Sequence, residues 1–180
     1  LSTGVGSRLG ILGIEPSATG NGVACIGGKL YLSDNDKGGL VKIDPSTGEV
    51  TWVGAFGVTI GDVTALAYSG SILYGFDVNN YNLVSINVGD GSGTIIGSTT
   101  TTYTDIYGLA YDSTNSLLYA VDKVDDVLLT LDVADGTPTL IGSLSTFTSI
   151  EGLTYNSVTD KFYAFNGGSV GSGHDSLVTL

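Results

Sequence analysis

One pattern is written four times along this chain, and it limits the fold more than any other feature. A tyrosine in an apolar run is followed three residues later by an acid or amide: Tyr31 and Asp34, Tyr74 and Asp77, Tyr119 and Asp122, Tyr163 and Asn166. The tyrosines are 43, 45 and 44 residues apart. Before each lies another apolar element: Gly22-Val-Ala-Cys-Ile26, Ala65-Leu-Ala-Tyr68, Gly108-Leu-Ala-Tyr111 and Gly152-Leu-Thr-Tyr155. After each comes a third, Leu40-Val-Lys-Ile43, Leu83-Val-Ser-Ile86, Leu128-Leu-Thr-Leu131 and Leu177-Val-Thr-Leu180. A fourth ends in glycine, as Arg8-Leu-Gly10, Trp52-Val-Gly54, Ile95-Ile-Gly97 and Leu140-Ile-Gly142. A period of this length marks stacked supersecondary units, none of which buries both of its faces alone.

The elements are short, alternating and rich in β-branched and aromatic residues, which are strand signals. Turn residues separate them: Gly27-Gly28, Ser69-Gly70 and Asp112-Ser-Thr-Asn115 between strands A and B, and Asp44-Pro-Ser-Thr-Gly48 or Asp132-Val-Ala-Asp-Gly136 between C and D. Gly, Asn and Asp supply the positive φ such turns need. No amphipathic helix is legible. The expected fold is therefore all-β: four antiparallel strands per unit of about 44 residues, the arithmetic of a β-propeller blade. One domain spans 1–180, with blades near 20–57, 62–100, 105–145 and 149–180. The last unit stops after its third strand, and residues 1–13 read as a C–D turn followed by strand D. That strand is expected to complete the last blade and close a four-bladed ring, hiding two edge strands. The rival expectation is a segment of a seven- or eight-bladed ring, or half of one completed by dimerisation.

The stretch from Leu118-Tyr-Ala-Val-Asp122 to Leu140-Ile-Gly142 resembles the propeller repeats of YVTN and NHL type found in secreted bacterial and archaeal surface proteins, and Asp44-Pro-Ser-Thr-Gly48 matches their D-x-x-TG turn. The resemblance covers nearly the whole chain. It implies the propeller fold and leaves function open, because such repeats serve surface proteins, scaffolds, lactonases and lyases alike.

Charge narrows the function classes. Eighteen acids face six bases, a formal net charge of −12. Such a chain repels the phosphate backbone and anionic membrane surfaces, which argues against nucleic-acid binding and membrane insertion. It favours solubility, cations or basic partners. Cys25 is the only cysteine, so no internal disulfide forms; its apolar setting predicts a small buried hydrophobe. No apolar run is long enough to span a bilayer. The chain opens at Leu1 inside repeat-like sequence with no signal peptide, which points to a mature or trimmed form. Few bases and many Ser, Thr and Gly fit a secreted, extracellular or cell-surface protein.

In a propeller the D–A and B–C loops share the face that usually carries ligands. The residues just before strand A form a ring there, and the candidate ligand-binding set is Asn21, Asp62, Thr64, Asp105, Tyr107 and Glu151. With the B–C loops and Glu15, 11 of the 18 acids fall on that face. Converging carboxylates suit a hard cation, so Asp62, Asp105 and Glu151 are candidate Ca²⁺ ligands. For Asp34, Asp77, Asp122 and Asn166 the expected role is instead acceptance of turn N–H groups. Asp34-Asn-Asp-Lys-Gly38 lacks the later glutamate of a calcium loop. Asp125-Asp126 reads as a solvated hairpin tip. The last B–C loop, Gly167 to Ser176, is about five residues longer; it is either a lip over the channel or a neutral insertion. Within it His174-Asp175 is an imidazole–carboxylate neighbour pair without a nucleophile. The recurring tyrosines, including Tyr68, Tyr111 and Tyr155, are expected in packing, and Trp52 either packs or meets a sugar or partner.

Three functions compete. The first is a non-catalytic extracellular module for adhesion, for glycan or protein binding, or for surface structure, as monomer or homodimer. The second is a metal-assisted hydrolase, lactonase or lyase using the acidic channel, with His174 as base. The third is an architectural piece of a longer ring. One Cys and one His exclude zinc-type spacing, and no basic aromatic stripe is present.

Overall fold

A computed structural model describes residues 22–99, 102–144, 147, 149–167 and 176–180. It contains four antiparallel sheets and, among the described residues, no helix. Blade 1 holds β1 (Val23–Ile26), β2 (Lys29–Asp34), β3 (Gly39–Ile43) and β4 (Val50–Ala55). Blade 2 holds β5 (Val63–Tyr68), β6 (Leu73–Asp77), β7 (Asn82–Ile86) and β8 (Gly93–Ser98). Blade 3 holds β9 (Ile106–Asp112), β10 (Leu117–Asp122), β11 (Val127–Leu131) and β12 (Pro138–Ser143). Blade 4 shows β13 (Ile150–Asn156), β14 (Lys161–Asn166) and β15 (Ser176–Thr179). Each sheet runs in chain order from its innermost to its outermost strand. The expected closing strand, residues 1–13, lies outside the described residues.

The turn chemistry repeats with the sequence. In the C–D turns of blades 1 to 3, the N–H groups of Gly48, Gly91 and Gly136 each donate to the carbonyls of Asp44, Asn87 and Asp132 at 2.8 Å. These glycines sit at φ of 74°, 79° and 77°, where a Cβ is strained. The B–C turns are held as expected from the buried acids that end strand B. Asp77 Oδ1 accepts the N–H groups of Asn79 (3.1 Å) and Asn80 (3.2 Å), and Asp122 Oδ1 those of Val124 (2.9 Å) and Asp125 (3.0 Å). Asp34 Oδ1 accepts Lys37 N–H at 3.1 Å. The Oδ1 of Asn166 is buried without a partner among the described residues.

Apolar side chains then meet between blades. Leu40 and Ala24 of blade 1 pack with Leu66, Leu73 and Val84 of blade 2. Phe76 and Leu83 on the other side of blade 2 pack with Leu109, Leu118 and Leu129 of blade 3. Val121 and Leu128 pack with Leu153 and Ala164 of blade 4. Each blade thus offers one face forward and the other back. Aromatic pairs cross two of these seams: Tyr74 stacks on Tyr111 with centroids 6.3 Å apart, and Tyr119 meets Phe162 at 4.5 Å.

Glycine fixes the spacing of the outer strands. A Cβ on Gly54 would lie 1.8 Å from the carbonyl oxygen of Asp90, in the C–D turn of the next blade. At Gly97 the same distance separates it from the oxygen of Asp135. Gly54 and Gly97, at the ends of their strand-D motifs, are therefore seats for the neighbouring turns.

Two expectations need correction. Cys25 is exposed, not buried. Alternation along β1 turns Ala24 into the seam with blade 2 and Cys25 to the opposite face, which no described blade covers. Asp126 is not a free hairpin tip: its Oδ1 accepts Ser149 N–H at 2.9 Å and ties blade 3 to the entry of blade 4. Asn35 does the same between blades 1 and 2, accepting Val63 N–H at 3.0 Å.

Candidate binding site at the channel mouth

The innermost strand of blades 2 to 4 carries one extra residue near its start. Val63 faces Asp77 and Ala65 faces Phe76, so Thr64 has no partner. Asp122 faces Ile106 and Val121 faces Gly108, which leaves out Tyr107. Ile150 faces Asn166 and Gly152 faces Phe165, which leaves out Glu151. A bulge re-aims a side chain out of the ladder. Three of the six residues expected at the site are thus the bulge residues of three successive blades. Asn21, the matching position of blade 1, lies outside the described residues, as does the His174-Asp175 pair.

The bulge residues differ in environment. Thr64 is buried, and its hydroxyl donates to the carbonyl of Ile106 in the next blade at 2.6 Å. It acts as an inter-blade strut facing protein on all sides. Tyr107 is half-buried and Glu151 exposed. Between them stands Lys123, which sequence reading overlooked: its Nζ lies 3.5 Å from the Tyr107 ring centroid and 3.7 Å from Glu151 Oε1. The signal was present, because the other blades have Asn35, Val78 and Gly167 at this step after strand B. An exposed cation–π contact is worth about 0.5–1 kcal/mol and an exposed ion pair about 0–1 kcal/mol. Lys123 therefore covers the tyrosine weakly.

Asp62 and Asp105 stand two residues before the bulge. The backbone carbonyls of Asp62 and Asp105 accept Val78 N–H (2.9 Å) and Lys123 N–H (3.0 Å), joining the D–A loop to the B–C loop. Asp105 N–H donates to Asp122 Oδ2 at 3.0 Å, and Asp105 Oδ2 accepts the Thr104 hydroxyl at 2.8 Å. In blade 2 the corresponding bond runs from Gly61 N–H to Asp77 Oδ2 at 3.0 Å. Among the described residues, no three acids, histidines or cysteines converge to hold a metal ion. Glu151, one of the three candidate ligands, stands beside Lys123.

At the opposite end the four inner strands line a half-open cavity of about 430 Å³. Its wall includes Leu66, Leu109, Leu153 and the strand-A tyrosines Tyr68, Tyr111 and Tyr155, with Cys25 where blade 1 lacks the tyrosine. Two of these tyrosine hydroxyls serve the A–B turns. Tyr68 donates to the carbonyl of Gly70 and Tyr155 to Asp160 Oδ1, both at 2.8 Å. Tyr155 also meets Thr114 Oγ1 of blade 3 at 3.0 Å. Its phenol lies above the ordinary value: the Thr114 contact lowers it, and the Asp160 and Asp112 carboxylates with burial outweigh that.

Similar solved structures share this architecture. A chain of the nidogen/laminin complex superposes with a TM-score of 0.68 at 14% identity, over 90% of this chain and 65% of that one. A streptogramin B lyase gives 0.58 at 12% identity, over 93% and 56%. The computationally designed Ika4 protein gives 0.54 at 15% identity, over 98% and 99%. The chain thus spans 65% and 56% of the first two. Propellers of this type include binding proteins and enzymes, and at these identities the likeness is one of fold. Among curated proteins the sequence comparison gives no match. Residues 3–152 match the model of a repeat of unknown function, DUF6923. With its blades, bulges and glycine seats laid out as above, the chain is a β-propeller repeat protein and belongs to the DUF6923 family.

Proposed function

We propose that the chain is a non-catalytic, extracellular binding module whose protein or glycan ligand sits at the channel mouth, on Tyr107 and Glu151. The observation that carries this reading is a contrast within the repeat. Turns, glycine seats and cores recur from blade to blade, whereas the bulge residues are Thr64, Tyr107 and Glu151. A framework that repeats holds the fold, and positions that break the repeat on a ligand-facing loop cluster supply specificity. Tyr107 offers an aromatic face, while Lys123 and Glu151 offer a donor and an acceptor within one short reach. Lys123 is held there weakly enough for a ligand to displace it. The buried acids nearby, Asp77 and Asp122, hold turn N–H groups, which favours binding over acid–base chemistry. The low content of bases and the likeness to secreted surface repeats support an extracellular setting, and the nidogen/laminin likeness supports a protein ligand.

The test is a glycan array and a protein-ligand panel probed with the chain and with Tyr107→Ala. Binding lost in the variant supports the reading. A rise in melting temperature with millimolar Ca²⁺, abolished in Asp62→Ala or Asp105→Ala, would replace it with the metal-assisted enzyme.

A further inference from the structure

The third repeat places its one base where a ligand would be read. Residues 105–145 hold seven acids and a single base, Lys123. Its ammonium lies 3.5 Å from the Tyr107 ring centroid and 3.7 Å from Glu151 Oε1. The face of an aromatic ring attracts a cation, and the carboxylate attracts it from a second side. Bulges in successive blades turn Tyr107 and Glu151 out of their ladders, and the lysine reaches them from a third element, the B–C loop. The backbone of that loop is fixed without the lysine side chain. Lys123 N–H donates to the Asp105 carbonyl at 3.0 Å, and Asp122 Oδ1 holds the N–H groups of Val124 and Asp125. The side chain is thus a flexible tether, and its ammonium is free to leave while the loop stays in place.

We infer that the channel mouth takes a basic protein segment, with an arginine side chain on the Tyr107 ring and the Glu151 carboxylate, and that Lys123 occupies this cation site in the free chain. The inference rests on the binding reading above and gives its ligand a chemistry. A guanidinium suits the pair better than the resident ammonium. It is planar, stacks on an aromatic face, forks toward a carboxylate and is more weakly hydrated. Lys123 Nζ, at 3.7 Å from Glu151 Oε1, is beyond hydrogen-bond distance. Charge favours the same partner. Asp105 stands two residues before Tyr107, Asp125 and Asp126 follow Lys123 by two and three, and the whole chain carries −12. Such a surface draws basic partners. A neutral glycan would use the ring and gain nothing from the surrounding carboxylates.

The test is fluorescence anisotropy of a labelled hexa-arginine peptide with the 180-residue chain at about 0.15 M salt, where diffuse charge attraction is screened. The expected signature is a gain on removing the resident cation. Lys123→Ala binds the peptide about two- to fivefold tighter, the worth of an exposed cation–π contact. Lys161→Ala makes the same charge change at an exposed position on β14, at the other end of the blade, and is expected to leave binding unchanged. Tyr107→Ala and Glu151→Gln weaken binding, whereas Tyr107→Phe, which keeps the ring face, retains it. In the Tyr107→Ala background the gain from Lys123→Ala disappears, because the two changes act on one contact. Weaker binding in Lys123→Ala would overturn the inference and leave the binding reading standing, with Lys123 itself a ligand contact. Peptide binding that ignores both Tyr107→Ala and Glu151→Gln would overturn it in favour of diffuse attraction to the acidic surface. No peptide binding, with a glycan signal lost in Tyr107→Ala, would overturn it in favour of a sugar at the same mouth.

Discussion

Replacing Gly97 by alanine puts the inter-blade seat to a quantitative test. The new Cβ would stand 1.8 Å from the carbonyl oxygen of Asp135 and 2.5 Å from its carbonyl carbon. A carbon and a carbonyl oxygen settle at about 3.3–3.6 Å, so the C–D turn of blade 3 must retreat by roughly 1.5 Å. That turn cannot yield locally. Gly136 N–H donates to the Asp132 carbonyl and Asp132 N–H to the Thr137 carbonyl, and Asp135 Oδ1 holds Thr137 N–H. Overpacking of this kind costs about 1–3 kcal/mol. Against it stands about 0.4–1 kcal/mol from the reduced freedom of the unfolded chain. The net loss is about 1–2 kcal/mol, a fall in melting temperature of roughly 2–8 °C for a chain of this size. Gly54→Ala, 1.8 Å from the oxygen of Asp90, is expected to behave alike. Gly142→Ala is the internal control: nothing lies within 4 Å of its Cβ, so the variant keeps only the gain. Urea unfolding of the three variants beside the parent decides the matter. Equal stability of Gly97→Ala and Gly142→Ala would refute the idea that Gly54 and Gly97 are seats.

Further outcomes follow from individual contacts. Asp77→Ala removes acceptors for Asn79, Asn80 and Gly61 N–H groups at a buried site, and is expected to lower stability by about 1–3 kcal/mol in urea titration. Thr64→Val removes the hydroxyl that braces Ile106 across a seam and is expected to cost about 1 kcal/mol, with unchanged secondary structure. Asp112 is expected to contribute to acid unfolding. Burial alone would raise its pKa, but the Asn115 amide and the N–H groups of Asn115 and Thr114 outweigh that and hold it below the ordinary 3.8. A depressed folded-state pKa stabilises above the unfolded value and is lost as pH falls through the folded one. Stability is therefore expected to fall below about pH 4, and Asp112→Asn is expected to flatten that fall in a pH series of unfolding curves.

Most of the fold was legible because the physics of each blade is local. The register of Tyr31, Tyr74, Tyr119 and Tyr163, the positive-φ glycines of the C–D turns and the Asx role of Asp77 and Asp122 follow from patterns within a few residues. What escaped was set between blades. Cys25 reads as buried from its neighbours, yet its exposure depends on whether another blade stands over β1. Asp126 reads as a hairpin tip, yet its partner is Ser149 of the next blade. The channel-mouth residues could be named from strand order, but not that Thr64 points into a seam while Tyr107 and Glu151 flank Lys123. Bulges decide that, and a one-residue bulge leaves no mark in a repeat whose loops vary in length.

The account rests most on the channel mouth as the place of ligand contact. Its most direct test is array binding by the parent chain, Tyr107→Ala, Glu151→Gln and Trp52→Ala, each first matched for melting temperature. The expected result is a ligand whose signal falls at least tenfold in Tyr107→Ala, falls in Glu151→Gln and is unchanged in Trp52→Ala on the outer strand. A ligand that ignores Tyr107 and Glu151 and is lost with Trp52 would place recognition on the rim and contradict the account.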